Sequence, residues 1–144
     1  MIRLTDIYTA VNKLLRNRYQ GFKIYGNDVV EGFDKPSFFV NLIPLNLSNE
    51  SVNYNKNTYS IKVTYFQNTM NEIDNLSKVD EIRALFGFHL KVCDQLCHVT
   101  DFSYDFVGKD SDILQITIDI EYVDFVQKDQ KETANKLIMR TETR

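Results

Sequence analysis

His89, Cys93 and Cys97 lie four residues apart, a spacing that on one continuous helix would aim an imidazole and two thiols at a single metal ion. The chain around them argues against that helix. Gly87 is a natural stop just ahead of His89, and Cys93-Asp94-Gln95 reads as a turn. A structural zinc also takes four ligands in closely spaced pairs, and His98 is the only further imidazole in the chain. A Cys–His catalytic pair, with either thiol as nucleophile and His89 as base, would need an orienting group and an oxyanion site, and neither is recognisable. Asp110 and Asp112, like Asp119 and Glu121, are carboxylates two residues apart, which on a strand share a face by geometry alone. Nothing places one of them in the apolar pocket that a general acid needs. Phosphate-cradling and nucleophile-elbow motifs (GxGxxG, Walker-type, GxSxG) are absent, and the five glycines stand singly. The expectation is a protein without catalytic residues, cofactor or metal, working through its surfaces.

The elements that would position such surfaces follow from periodicity. Ile7, Val11, Leu14 and Leu15 recur at helical spacing, with Thr5 as expected N-cap and Lys13, Arg16 and Arg18 on the other side and at the end. This predicts a helix over about residues 4–18. Residues 22–26 read as a short strand, and 37–48 as a long strand apolar on both faces, hence covered on both. Within it, Pro44 implies an edge, a bulge or a break. The Asn-rich run 49–57 reads as a loop or hairpin tip. In 56–67, Tyr59, Ile61, Val63 and Tyr65 alternate with Ser60, Lys62 and Thr64, the signature of a half-buried strand. Ile73, Leu76, Val79, Ile82 and Phe86 form a helical stripe over 71–86, ended by Gly87.

A short strand at 88–92 precedes two long ones, 96–107 and 113–126, joined by the hairpin turn Gly108–Asp112. Phe102, Tyr104 and Phe106 alternate with aspartates instead of the Lys or Arg of a base-stacking platform, so they read as core. Asp101, Asp105, Asp119 and Glu121 make the outward face of this hairpin acidic, a solvated face or a surface for a basic partner. The predicted fold is α+β: one domain over 1–127, a largely antiparallel sheet with an N-terminal and a mid-chain helix packed on it. Residues 128–144 are expected to be a charged tail or short helix.

Composition narrows the functional classes. The 144 residues suit a single domain, 43% hydrophobic residues favour a globular core, and a formal charge of −3 gives no pull toward nucleic acid. Neither a secretory signal nor a run of roughly 20 apolar residues is present, so a cytosol-like compartment is expected, in which two cysteines form no disulfide framework.

The segments LTDIYTAVNKLLRNRY (4–19), KIYGNDVVEGFDKPSFFVNLIP (23–44), YSIKVTYF (59–66) and the ending LCHVTDFSYDFVGKDSDILQITIDIEYVD (96–124) together resemble tail terminator or tail completion proteins. These are found in phages and phage-derived tail particles of low-GC Gram-positive bacteria. The resemblance implies a homo-oligomeric ring, generally a hexamer, seated on the last ring of the tail tube. It would stop polymerisation of the tube (and of the sheath in contractile tails) and offer a docking face to a head or neck connector. The expected location is a virion tail or tail particle assembled in the bacterial host cytoplasm, without membrane or sequence-specific nucleic-acid contacts. No catalytic residues come with the family. Expected interface residues are Asn49, Glu50, Asn53, Asn55 and Lys56 in the Asn-rich excursion, Lys109, Asp110 and Asp112 in the closing turn, and Asp119 and Glu121 on the acidic face. That face would pair with the basic end of a neighbour's first helix. The rival readings are a head-completion or neck connector, and a small-ligand-binding α+β domain.

Overall fold

The computed structural model describes residues 2–26, 32–49 and 54–125. In chain order the elements are α1 (Leu4–Arg18), β1 (Lys23–Tyr25), β2 (Ser37–Asn49), β3 (Tyr54–Phe66), α2 (Glu72–Phe86), β4 (His89–Val92), β5 (Gln95–Val107) and β6 (Ile113–Phe125). The strands form one six-stranded sheet in the order β1-β2-β3-β6-β5-β4. Every pairing is antiparallel except that of β1 with β2. This is a single α+β domain, as the periodicities predict. The expected tail over 128–144 lies outside the described residues.

Alternation decides which face each strand buries. On β3 and β6, Tyr59, Ile61, Val63, Tyr65 and Leu114, Ile116, Ile118, Ile120, Tyr122 all turn to the helices and are at most 5% exposed. Along these strands burial of apolar area is the main stabilising term, on the order of 1.5–3 kcal/mol for each large side chain. Both helices lie on this face. The sheet curls around α1, whose Ile7, Val11 and Leu15 are buried and which touches β1, β2 and also β4. The opposite face carries a second, smaller aromatic group: Phe33 contacts Phe39 and Phe66 at ring distances of 4.9 and 4.8 Å, with Tyr25 against Phe39 at 5.2 Å. The long strand predicted to be apolar on both faces is therefore covered on both at its beginning. Further along, Leu45 is 53% exposed.

Several local expectations are corrected. α1 has the predicted bounds, but its N-cap is Arg3 rather than Thr5, because the Asp6 carboxylate accepts the Arg3 backbone N–H at 2.9 Å. Of the Asn-rich run, read as a loop or hairpin tip, Asn49 ends β2 and 54–57 belong to β3, while 50–53 lie outside the described residues. Asn55 and Asn57 continue β3, which is paired on both sides, with β2 and with β6, so the ladder overrides the weak strand preference of asparagine.

The largest correction concerns α2. Ile73 and Leu76 are 75% and 43% exposed, while the face toward the sheet carries Asn75, Val79, Ile82 and Phe86, with Lys78 buried beside them. What wins is a polar network centred on Lys78. Lys78 Nζ lies 5.2–5.7 Å from the ring centres of Tyr65, Tyr19 and Phe22 and 2.9 Å from Asp74 Oδ1, with Glu81 at 3.9 Å. The Tyr65 hydroxyl donates to Asp74 at 2.6 Å and the Tyr19 hydroxyl to Glu81 at 2.7 Å. These bonds tie α2 to the C-terminal end of α1 and to β3.

Candidate assembly surfaces

The interface residues read from the sequence fall at two opposite ends of the sheet and on its helix-free face. Asn49 ends β2 opposite Asn55, and Lys56 follows it in β3, so they flank the β2–β3 tip. Glu50 and Asn53 lie outside the described residues. Lys109 and Asp110 are exposed in the β5–β6 turn at the other end, held there by Gly108 at φ 94° and Ser111 at φ 51°. Asp112 is half-buried, and its backbone carbonyl accepts the Asn75 side-chain amide at 3.3 Å. The length of β3 separates the two ends by about 40 Å, so within one copy they do not form a single patch.

On the helix-free face the structure brings Glu121 to Lys56 at 3.4 Å, with both side chains partly exposed. Asp119 stands directly opposite Asp101 across β5 and β6. Like charges so placed repel by a few tenths of a kcal/mol, roughly, unless a partner supplies a cation. The basic end of α1 already has one partner, since Arg18 pairs with Glu81 within the same chain at 3.4 Å.

The residues first considered for metal or nucleophilic chemistry are separated. Cys97 is buried on the helix side of the β4–β5 hairpin and Cys93 is exposed in its turn. His89 and His98 face each other on the opposite, outer side with ring centres 5.6 Å apart. Among the described residues no group of three or more His, Cys, Asp or Glu is placed to hold a metal. No helix among them is long and apolar enough to cross a membrane. A depression of about 490 Å³ beside α1 is lined largely by polar side chains, Asp6, Thr9, Lys13, Asn17 and Lys91 among them, without the apolar lining usual for small-ligand sites.

Sequence reasoning missed the two margins of the sheet. β1 covers only Ser37–Phe39 of β2, and β4 covers only Gln95–His98 of β5. Val40–Asn49 and Asp101–Val107 are therefore left without a further strand among the described residues. Over the second of these edges stands the flank of α2. Arg83 lies 5.8 Å from the Phe102 ring centre, and Leu76, seven residues earlier, falls on the same line of the helix. A groove of about 240 Å³ runs between Arg83, Gly87 and Phe88 on one side and Val99–Phe102 on the other. Tyr104, on the helix-facing side of β5, is 50% exposed, while Phe102 and Phe106 pack against the core. The predicted core stripe is thus core at two of its three positions. The available signal was the shortness of the two outer strands beside their neighbours.

Among the described residues the surface of this small α+β domain is marked by unpaired sheet margins and an acidic sheet face rather than by a reactive cluster. The chain belongs to the phage tail terminator protein family, whose description matches residues 6–133. Its role is structural, in a phage tail, in contact with other tail components. No curated protein matches the chain. Among solved structures, one chain aligns over 88% of this one and 98% of its own length at a TM-score of 0.53 and 13% identity, a likeness of fold alone.

Proposed function

We propose that the protein closes into a ring, hexameric as the family resemblance implies, that caps the tail tube. It ends tube growth, and sheath growth in a contractile tail, and presents a docking face to a head or neck connector. The observation that carries this reading is the family match over 6–133. The separation of the two tips supports it. A cap needs one face for the tube and another for the neck, and the β2–β3 tip and the β5–β6 turn stand about 40 Å apart on a rigid sheet. Assembly takes place in the host cytoplasm and the ring ends in the virion tail or tail particle.

Tail length measured by negative-stain electron microscopy, in particles made with the gene disrupted, tests the proposal. Overlong, uneven tubes are expected. Tails of normal length left without heads would assign the protein to the neck instead, and complete normal particles would refute an assembly role. Pairing of the acidic face with a neighbour is tested separately: Asp119→Lys with Glu121→Lys should impair length control, and unchanged tails would remove that contact.

A further inference from the structure

Two strand edges carry no further strand among the described residues, and the flank of α2 over one of them is exposed. Among the described residues no further strand pairs with Asp101–Val107 of β5, where Tyr104 is 50% exposed, and the flank of α2 that carries Arg83 over Phe102 exposes Leu76 on the same line of the helix. At the other margin, β2 offers Val40–Asn49 with Leu45 exposed. A strand added to an existing sheet edge gains main-chain hydrogen bonds along its length, and side-chain complementarity selects the partner.

Charge chooses among the possible joints. Two β5 edges joined antiparallel about Ser103 would set Asp101 against Asp105 twice, a repulsive arrangement. Two β2 edges would meet the Pro44 irregularity twice, where the missing N–H and the register shift interrupt a ladder. A β2 edge beside a β5 edge meets neither obstacle in duplicate. The margins also differ in charge: exposed Arg16 and Lys23 stand at β1, next to the start of β2, whereas β5 exposes Asp101 and Asp105, with Arg83 of α2 over Phe102.

We infer that the α2–β5 margin of one copy receives the free β2 edge of the next copy as an additional strand, Val40–Asn49 lying along Asp101–Val107 beneath Leu76 and Tyr104. This rests on the ring reading above and names its joint. The contact is head-to-tail, so each copy keeps one donor and one acceptor edge, as a closed ring requires.

The stagger between the edges is compatible with closure. The free part of β2 centres near Pro44, level with Tyr59, Ile120 and Val99, whereas that of β5 centres near Tyr104. This is an offset of about 15 Å along the strands over about 19 Å of sheet width. Strands tilted by about 40° to the ring axis absorb it, a tilt within the range of closed barrels.

The test places the photo-cross-linker p-benzoylphenylalanine at position 104 of the full chain, in cells producing particles that contain isotopically light and heavy copies. Light-to-heavy cross-links into residues 40–49 are expected, and Leu45→Lys should reduce them at least tenfold with an unchanged melting temperature. Cross-links only within one copy, only to another tail protein, or none at all would overturn the inference. Tail lengths of the same particles report on the ring reading independently: controlled length without the 104-to-40–49 link sinks the joint and leaves the cap standing.

Discussion

Lys78 is a cation held among three aromatic rings and two carboxylates, and its ammonium group rather than its stem is what α2 is oriented around. Replacing it by Met keeps the stem's packing and removes the charge. The expected loss is about 2 kcal/mol, the scale of a partly buried charge-assisted bond, seen as a lower urea midpoint at unchanged slope. The same network sets a pH dependence. Burial disfavours the Asp74 carboxylate, but hydrogen bonds from Tyr65, Lys78 and Gln67 outweigh it and hold its pKa below the usual value. Burial first, then the bond to Glu81, raises the Tyr19 hydroxyl; burial and the bond to Asp74 raise that of Tyr65. A lowered carboxyl binds protons more weakly when folded, so its contribution is present at neutral pH and is lost as pH falls below about 4. A raised phenol holds its proton more tightly when folded, so its contribution is present below about pH 10 and decays as pH rises beyond it. Denaturation followed across pH should show both shoulders, and Tyr65→Phe should diminish each.

At the scale of elements, α2 buries Asn75 and Lys78 while Ile73 and Leu76 face outward. Ile73→Glu should therefore change stability by less than about 0.5 kcal/mol while impairing length control, a separation read by thermal melts beside tail measurements. The β5–β6 turn is the opposite case. A Cβ on Gly108 would sit 2.8 Å from Ile113 Cδ1 at a φ of 94°, so Gly108→Ala should cost about 1–3 kcal/mol and loosen the turn. The long strands were legible because alternation on β3 and β6 has one physical cause, a sheet buried on one face. The face of α2 was not, because an aliphatic stripe and a buried lysine compete, and the rings that settle the matter come from Tyr19, Phe22 and Tyr65, far away in sequence. Nor could local preference show that Asn55 and Asn57 belong to a ladder whose partners are β2 and β6. The separation of the interface candidates into two ends was implicit only in the strand order.

For the whole molecule, the sheet acts as a rigid spacer between its tips. Reversing both charges at Lys109 and Asp110, which are exposed, is expected to disturb either tail length or head joining and leave the other intact. Micrographs scored for both properties decide which tip meets the tube; loss of both together would contradict the division of labour. The curl of the sheet carries a different consequence. α1 touches β1 and β2 at one margin and β4 near the other, so it acts as a wedge whose girth fixes the angle between the margins. If successive copies join through those margins, that angle is the turn made at every joint, and the number of copies in the circle becomes a property of core volume. A bulkier residue at Ala10, on the partly buried side of α1, would pry the margins apart and alter the circumference without touching a single interface residue.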